Sequence, residues 1–93
     1  MVVGVVRVEL HIPAARSLKD KRQVVRGLKD RLRERLHAAV AEVDHQDLWQ
    51  RAALGLAVVS AEGGQVREML QSARRIVDQE FAATVTDWQE RIE

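Results

Sequence analysis

Val6-Arg7-Val8-Glu9-Leu10-His11-Ile12-Pro13 alternates apolar and polar side chains at every step until the proline. In an extended chain successive side chains point to opposite faces. Val6, Val8, Leu10 and Ile12 therefore share a face that must be covered, while Arg7, Glu9 and His11 share the other. Pro13 has no N–H to give a ladder and ends the strand. Just downstream, Ser17-Leu18-Lys19-Asp20 sets a hydroxyl three residues before a carboxylate, a capping box in which Asp20 is a short substitute for glutamate. The period then changes. Leu18, Val25, Leu28, Leu32 and Leu36 recur at helical spacing and form one apolar stripe about 100° wide.

Further along, Val40, Ala41 and Val43 predict a short strand from Ala38 to Asp44 whose broken parity marks a bulge. Asp44-His45-Gln46-Asp47 is polar and turn-forming, and Leu54, Leu56 and Val58 beyond it supply the second arm of a hairpin, with Val59 on the opposite face. After the break Ser60-Ala61-Glu62-Gly63-Gly64, the residues Val66, Met69, Leu70, Ala73, Ile76 and Val77 follow the 3.6-residue period of a second amphipathic helix. Thr84, Val85 and Thr86 place a last strand over Ala82 to Trp88. The order β-α-β-β-α-β predicts an α+β, ferredoxin-like sandwich, a four-stranded antiparallel sheet with two helices on one face. Residues 1–93 read as a single domain, too short for two of ordinary size and without linker or low-complexity segment.

Composition narrows function by exclusion. With no cysteine there is no disulfide framework, no thiolate metal site and no cysteine nucleophile. The start Met1-Val2-Val3-Gly4-Val5-Val6 lacks a cationic lead and meets Arg7 and Glu9 too soon for a signal peptide's apolar core. No window approaches the roughly 18 apolar residues that span a membrane, so the expected location is cytoplasmic. Phosphate-loop, dinucleotide, nucleophile-elbow and HExxH motifs are all absent. His11, His45 and Asp47 could form a metal or acid–base trio, but no recognised ligand spacing supports them. The expectation is a non-enzyme with no catalytic residue, no metal and no cofactor.

Charge is more informative than its total. Arg16 to Arg35 holds nine cations against three acids, so this segment carries +6 within a chain of net +1, and the rest carries −5. At 100° per residue, Lys19, Arg22, Arg26, Lys29 and Arg33 lie within about 80° of one another and about 90° from the apolar stripe. They form a cationic ridge whose like-charge pairs repel by a few tenths of a kcal/mol each. Phosphates of a nucleic acid would offset that repulsion and release counterions. Salt bridges along a solvated helix face, or an acidic neighbouring subunit, would offset it as well.

Lys21 and Arg51 are further contributors to such a surface. The loop from Asp44 to Arg51 adds His45, Gln46 and Trp49 as contacts, although a turn histidine and a packing tryptophan are the commoner roles of such residues. The aromatics are only Trp49, Phe81 and Trp88. The strand face bearing Arg7, Glu9 and His11, with Ala53, Gly55 and Ala57 beside them, has no stacking rings, so the usual sheet mode of RNA reading does not fit. Its small residues would instead let another sheet approach, which makes this face the candidate surface for a homodimer.

Val5-Val6-Arg7-Val8-Glu9-Leu10-His11-Ile12-Pro13, Ser17-Leu18-Lys19-Asp20-Lys21-Arg22 and Ala41-Glu42-Val43-Asp44-His45-Gln46-Asp47-Leu48-Trp49-Gln50-Arg51-Ala52 together resemble the YlxP-like proteins, a bacterial family without an established activity. The resemblance runs over nearly the whole chain and implies a ferredoxin-like fold. Genes of that family often lie beside those of translation-initiation and ribosome-maturation proteins, which implies a link to RNA or the ribosome. No catalytic residue is carried over. The sequence thus points first to an RNA-binding or ribosome-associated accessory protein, and second to a protein-interaction module or homo-oligomer whose basic helix docks an acidic partner.

Overall fold

The computed structural model describes all residues, 1–93. Its elements follow the expected order: β1 (Val2–His11), α1 (Leu18–Leu36), β2 (Ala39–Asp44), β3 (Arg51–Ser60), α2 (Gly63–Asp78) and β4 (Thr84–Ile92). The strands lie side by side as β2-β3-β1-β4, and every neighbouring pair is antiparallel. The alternation in β1 does what its pattern requires, because Val6, Val8 and Leu10 are buried under the helices. Cross-strand pairing carries β1 back to Val2, opposite Ser60. At Gly4 a Cβ would stand 2.6 Å from Val66 Cγ1, so only glycine lets α2 settle this closely on the strand.

Ser17 caps α1, its Oγ accepting from the Asp20 N–H at 3.0 Å. The Asp20 side chain accepts from the Arg16 N–H, also at 3.0 Å, one residue earlier than a glutamate box reaches. Val25, Leu28 and Leu32 of the predicted stripe are buried. The helix closes on His37, whose left-handed φ of 52° lets its N–H bond to the Arg33 carbonyl. From α2, Val66, Leu70, Ala73, Ile76 and Val77 enter the same core.

Two strands depart from strict alternation. The bulge expected in β2 lies between Glu42 and Asp44, where the register against β3 shifts. The last strand is displaced from the expected Ala82–Trp88 to Thr84–Ile92. Ala82 and Ala83 belong to the connection after α2. Polar Gln89, Glu90 and Arg91 are drawn into the ladder because β1 offers them partners from Arg7 back to Val5. An edge strand tolerates such residues, since its outer side faces water. Trp88 is half-buried against the core, with the Arg74 guanidinium 5.1 Å from its ring centroid. No helix is long and apolar enough to cross a membrane.

Candidate functional site

Two cationic regions meet at one end of the molecule, where α1 begins and the β2–β3 hairpin turns. The first is the ridge. Lys19, Arg22, Arg26 and Arg33 are exposed and Lys29 is half-exposed. Arg22, Arg26 and Lys29 line one shallow cleft together with Val25 and Glu42, between α1 and the β2 edge. Arg7, Arg31, Arg51, Arg74 and Arg91 each pair with an acid of the chain. Lys19, Arg22, Arg26 and Lys29 pair with none. Arg33 is tied down, its Nη2 donating to the Val40 carbonyl of the edge strand at 2.9 Å.

The second region is the hairpin loop, and it corrects one expectation. Lys21, grouped by sequence with the phosphate contacts, is 0 % exposed and cannot reach a phosphate. Its ammonium donates to the carbonyls of His45 (2.7 Å), Gln46 (3.1 Å) and Arg51 (3.3 Å). It also stands 3.0 Å from Glu42 Oε2. A buried charge is tolerable only when its desolvation is offset by a counter-charge and satisfied hydrogen bonds, and Lys21 has both. The signal was present in the spacing: 18, 21, 25, 28 and 32 continue one helical stripe, and Lys21 fills its second place.

Above the sheet face that the helices leave free, Glu9 is the hub of a network. His45 Nε2 lies 2.9 Å from Glu9 Oε1, where an ionised carboxylate can only accept, and Arg51 Nη2 stands 3.2 Å from the same nitrogen. Arg51 Nη2 reaches the same oxygen at 3.0 Å, and Arg7 Nη1 reaches Glu9 Oε2 at 2.6 Å. Arg7 Nη2 continues to Asp44 Oδ2 at 3.2 Å. Partial burial pushes the Glu9 carboxyl up, but the bonds from His45 and Arg51, helped by the charges of His45 and Arg7, outweigh it and hold the group below the usual carboxylate range. Asp44 is also lowered, first by the His45 N–H that donates to Oδ1 and then by the His45 ring. That bond and the Lys21–carbonyl bond together hold His45 in the left-handed region, at φ 63°.

The network changes the reading of the free sheet face. Ala53, opposite Glu9 on β1 and Asp44 on β2, is fully buried although it lies on this side. Gly55 is partly filled by Val43, whose Cγ1 would stand 2.9 Å from a Cβ there. An apolar groove of Val5, Ala39, Ala41, Val43, Gly55 and Ala57 remains at the other end of this face. Near the hairpin, Gln46 is exposed and holds the Glu42 carbonyl only at 3.5 Å. Trp49 is 54 % exposed, so it does not serve as a cap on the core. No three metal-ligating side chains converge, and His11, His45 and Asp47 are not assembled into one site.

Residues 3–90 match the model of a family described as "Protein of unknown function (DUF503)". The chain belongs to that family. It is also 32 % identical over 91 residues to the "Uncharacterized protein YlxP" of Bacillus subtilis (strain 168), covering 94 % of this chain and 99 % of the relative. Two solved structures share its architecture at low identity. One is a de novo designed protein with a ferredoxin fold, LFR1 1, at TM-score 0.57 and 14 % identity, covering all of this chain and 88 % of that one. The other is the structural-genomics protein YJCS, at TM-score 0.53 and 10 % identity, covering 96 % of both chains. At such identities the likeness is one of fold. The chain is therefore a ferredoxin-like member of a family of unknown function, which carries no assigned enzymatic activity.

Proposed function

We propose that this domain is a non-enzymatic, cytoplasmic RNA-binding or ribosome-associated accessory protein that grips phosphates with the ridge of α1. The observation that carries the reading is that Lys19, Arg22, Arg26 and Lys29 stand along one side of a helix with no acid of the chain to pair them, while Arg7, Arg31, Arg51, Arg74 and Arg91 each have one. From Lys19 to Arg33 the ridge is roughly 21 Å long at 1.5 Å per residue, enough to follow a stretch of nucleic-acid backbone. Phosphate contacts position a protein without reading bases.

The test is binding to structured ribosomal RNA fragments across a salt series, with Arg22→Glu/Arg26→Glu beside the wild type. Arg33 is left intact because its bond to Val40 would confound binding with stability. The expected result is a steep fall of affinity with salt, and a slope smaller by about 0.7–0.9 for each phosphate that the variant no longer neutralises. An unchanged slope and affinity would remove the ridge from the reading. The apolar groove between Val5 and Val43, with Val59 exposed beside it, favours a second reading as a homodimer or protein-docking module. Sedimentation of the purified chain, and pull-down from nuclease-treated lysate, would separate that reading from the first.

A further inference from the structure

The hairpin loop presents an aromatic platform that the ridge alone does not explain. Trp49 forms a shallow groove with His11, Leu48, Gln50 and Arg51, and none of these is an acid. An exposed indole on a mobile loop would lose entropy on binding, but this loop is already braced on two sides. Lys21 holds the carbonyls of His45, Gln46 and Arg51 from beneath. Gln50 Nε2 donates to the Pro13 and Ala15 carbonyls at 3.1 and 3.2 Å, and its own carbonyl accepts from Ile12 N–H at 2.8 Å. Those bonds fasten Trp49 beside the segment that leads through Arg16 and Ser17 into Lys19, where the ridge begins.

We infer that the groove of His11, Trp49 and Arg51 is a subsite for one unpaired nucleobase of an RNA whose flanking phosphates lie on the ridge. The inference rests on the RNA-binding reading and narrows it to single-stranded or bulged RNA. An indole face accepts any base by stacking, and planar cationic or imidazole neighbours extend the platform. Arg51, which lines the groove, has its Nη2 bonded to Glu9 Oε1 at 3.0 Å, so its side chain is anchored before a base arrives. Bases buried in an A-form duplex cannot reach such a groove, whereas bases in loops and bulges are free to splay out. The helix-free face of the sheet carries no indole or phenyl ring, because Trp88 of β4 packs on the core side, so reading from the hairpin end replaces reading from the sheet surface.

The experiment compares a short single-stranded RNA with a blunt duplex of the same sequence, using wild type, Trp49→Ala, Trp49→Phe and Arg22→Glu/Arg26→Glu. Trp49→Ala is expected to weaken single-strand binding by about ten-fold, the order of one aromatic stack. Its salt slope should stay at the wild-type value, and Trp49→Phe should recover most of the affinity. In a Trp88→Phe background, Trp49 is the one remaining tryptophan, and its fluorescence should quench with the single strand and much less with the duplex. Trp49→Ala binding single strands as tightly as wild type, or no quenching on binding, overturns the base subsite even while the ridge variant still loses affinity and the ridge stands. Failure of the wild type to bind either RNA overturns the subsite and the RNA reading together.

Discussion

The ridge and the hairpin network are built from the same residue types, yet their charges are treated in opposite ways. Lys19 and Lys21 are two residues apart on α1. Lys19 faces solvent without a partner, and Lys21 is fully buried among three carbonyls and a carboxylate. The hairpin commits its cations to its own architecture: Arg7, Lys21 and Arg51 tie strand to strand and loop to helix. The ridge leaves Lys19, Arg22, Arg26 and Lys29 uncommitted and repelling one another, with Arg33 alone tied to the edge strand. Paired charge here is structural, and unpaired charge is what remains available to a partner.

The largest effect that would sharpen this contrast is on stability. Lys21→Met should lower the unfolding free energy by about 3–5 kcal/mol, since it strands Glu42 without its counter-ion. Urea denaturation beside Lys19→Met, which should shift by no more than about 0.5 kcal/mol, reads both sides of the comparison at once. Lys21→Met/Glu42→Gln should recover only part of the loss, because three backbone carbonyls still lack a donor. Equal behaviour of the two lysines would break the comparison.

Next in size, Ser17→Ala removes the cap of the turn that both regions share and should cost about 1 kcal/mol. For a domain of this size that is a fall in melting temperature of roughly 4–8 °C. A smaller effect, below about 1 kcal/mol because both arginines are substantially solvated, is expected of Glu9→Gln near neutral pH. Glu9 is held ionised in the folded chain below its ordinary pKa of 4.5, so its contribution is present above that value. As pH falls through 4.5 and then through the lower folded value, the unfolded chain takes up the proton first and the contribution disappears. The stability of Glu9→Gln should therefore fall less than that of wild type between neutral and acid pH, as followed by thermal melts.

The smallest effect tests the ridge's self-repulsion. Arg22→Gln/Arg26→Gln removes a like-charge pair one helical turn apart and should raise stability by a few tenths of a kcal/mol at low salt. The gain should vanish at high salt, where exposed charges are screened. A loss of stability instead would show that these cations already have partners within the fold.

The element order and both helices were legible because each depends on a repeating pattern whose period survives in one dimension. The bulge in β2 was legible for the same reason, as a break in parity between Val40 and Val43. The end of β4 was not, because Gln89, Glu90 and Arg91 carry no strand pattern of their own and join the ladder only through their partners on β1. The ridge followed from helical spacing alone. That Arg33 bonds the edge strand, that Lys21 belongs to the core stripe and that Glu9 gathers Arg7, His45 and Arg51 came from tertiary structure. By itself the sequence determined the layers, the order of elements and the basic face of α1, since periodicity and local charge act over a few residues. Only the folded chain decided which charges are paired and which are left free, because pairing depends on groups up to 49 residues apart, as Arg31 and Glu80 are, meeting in space.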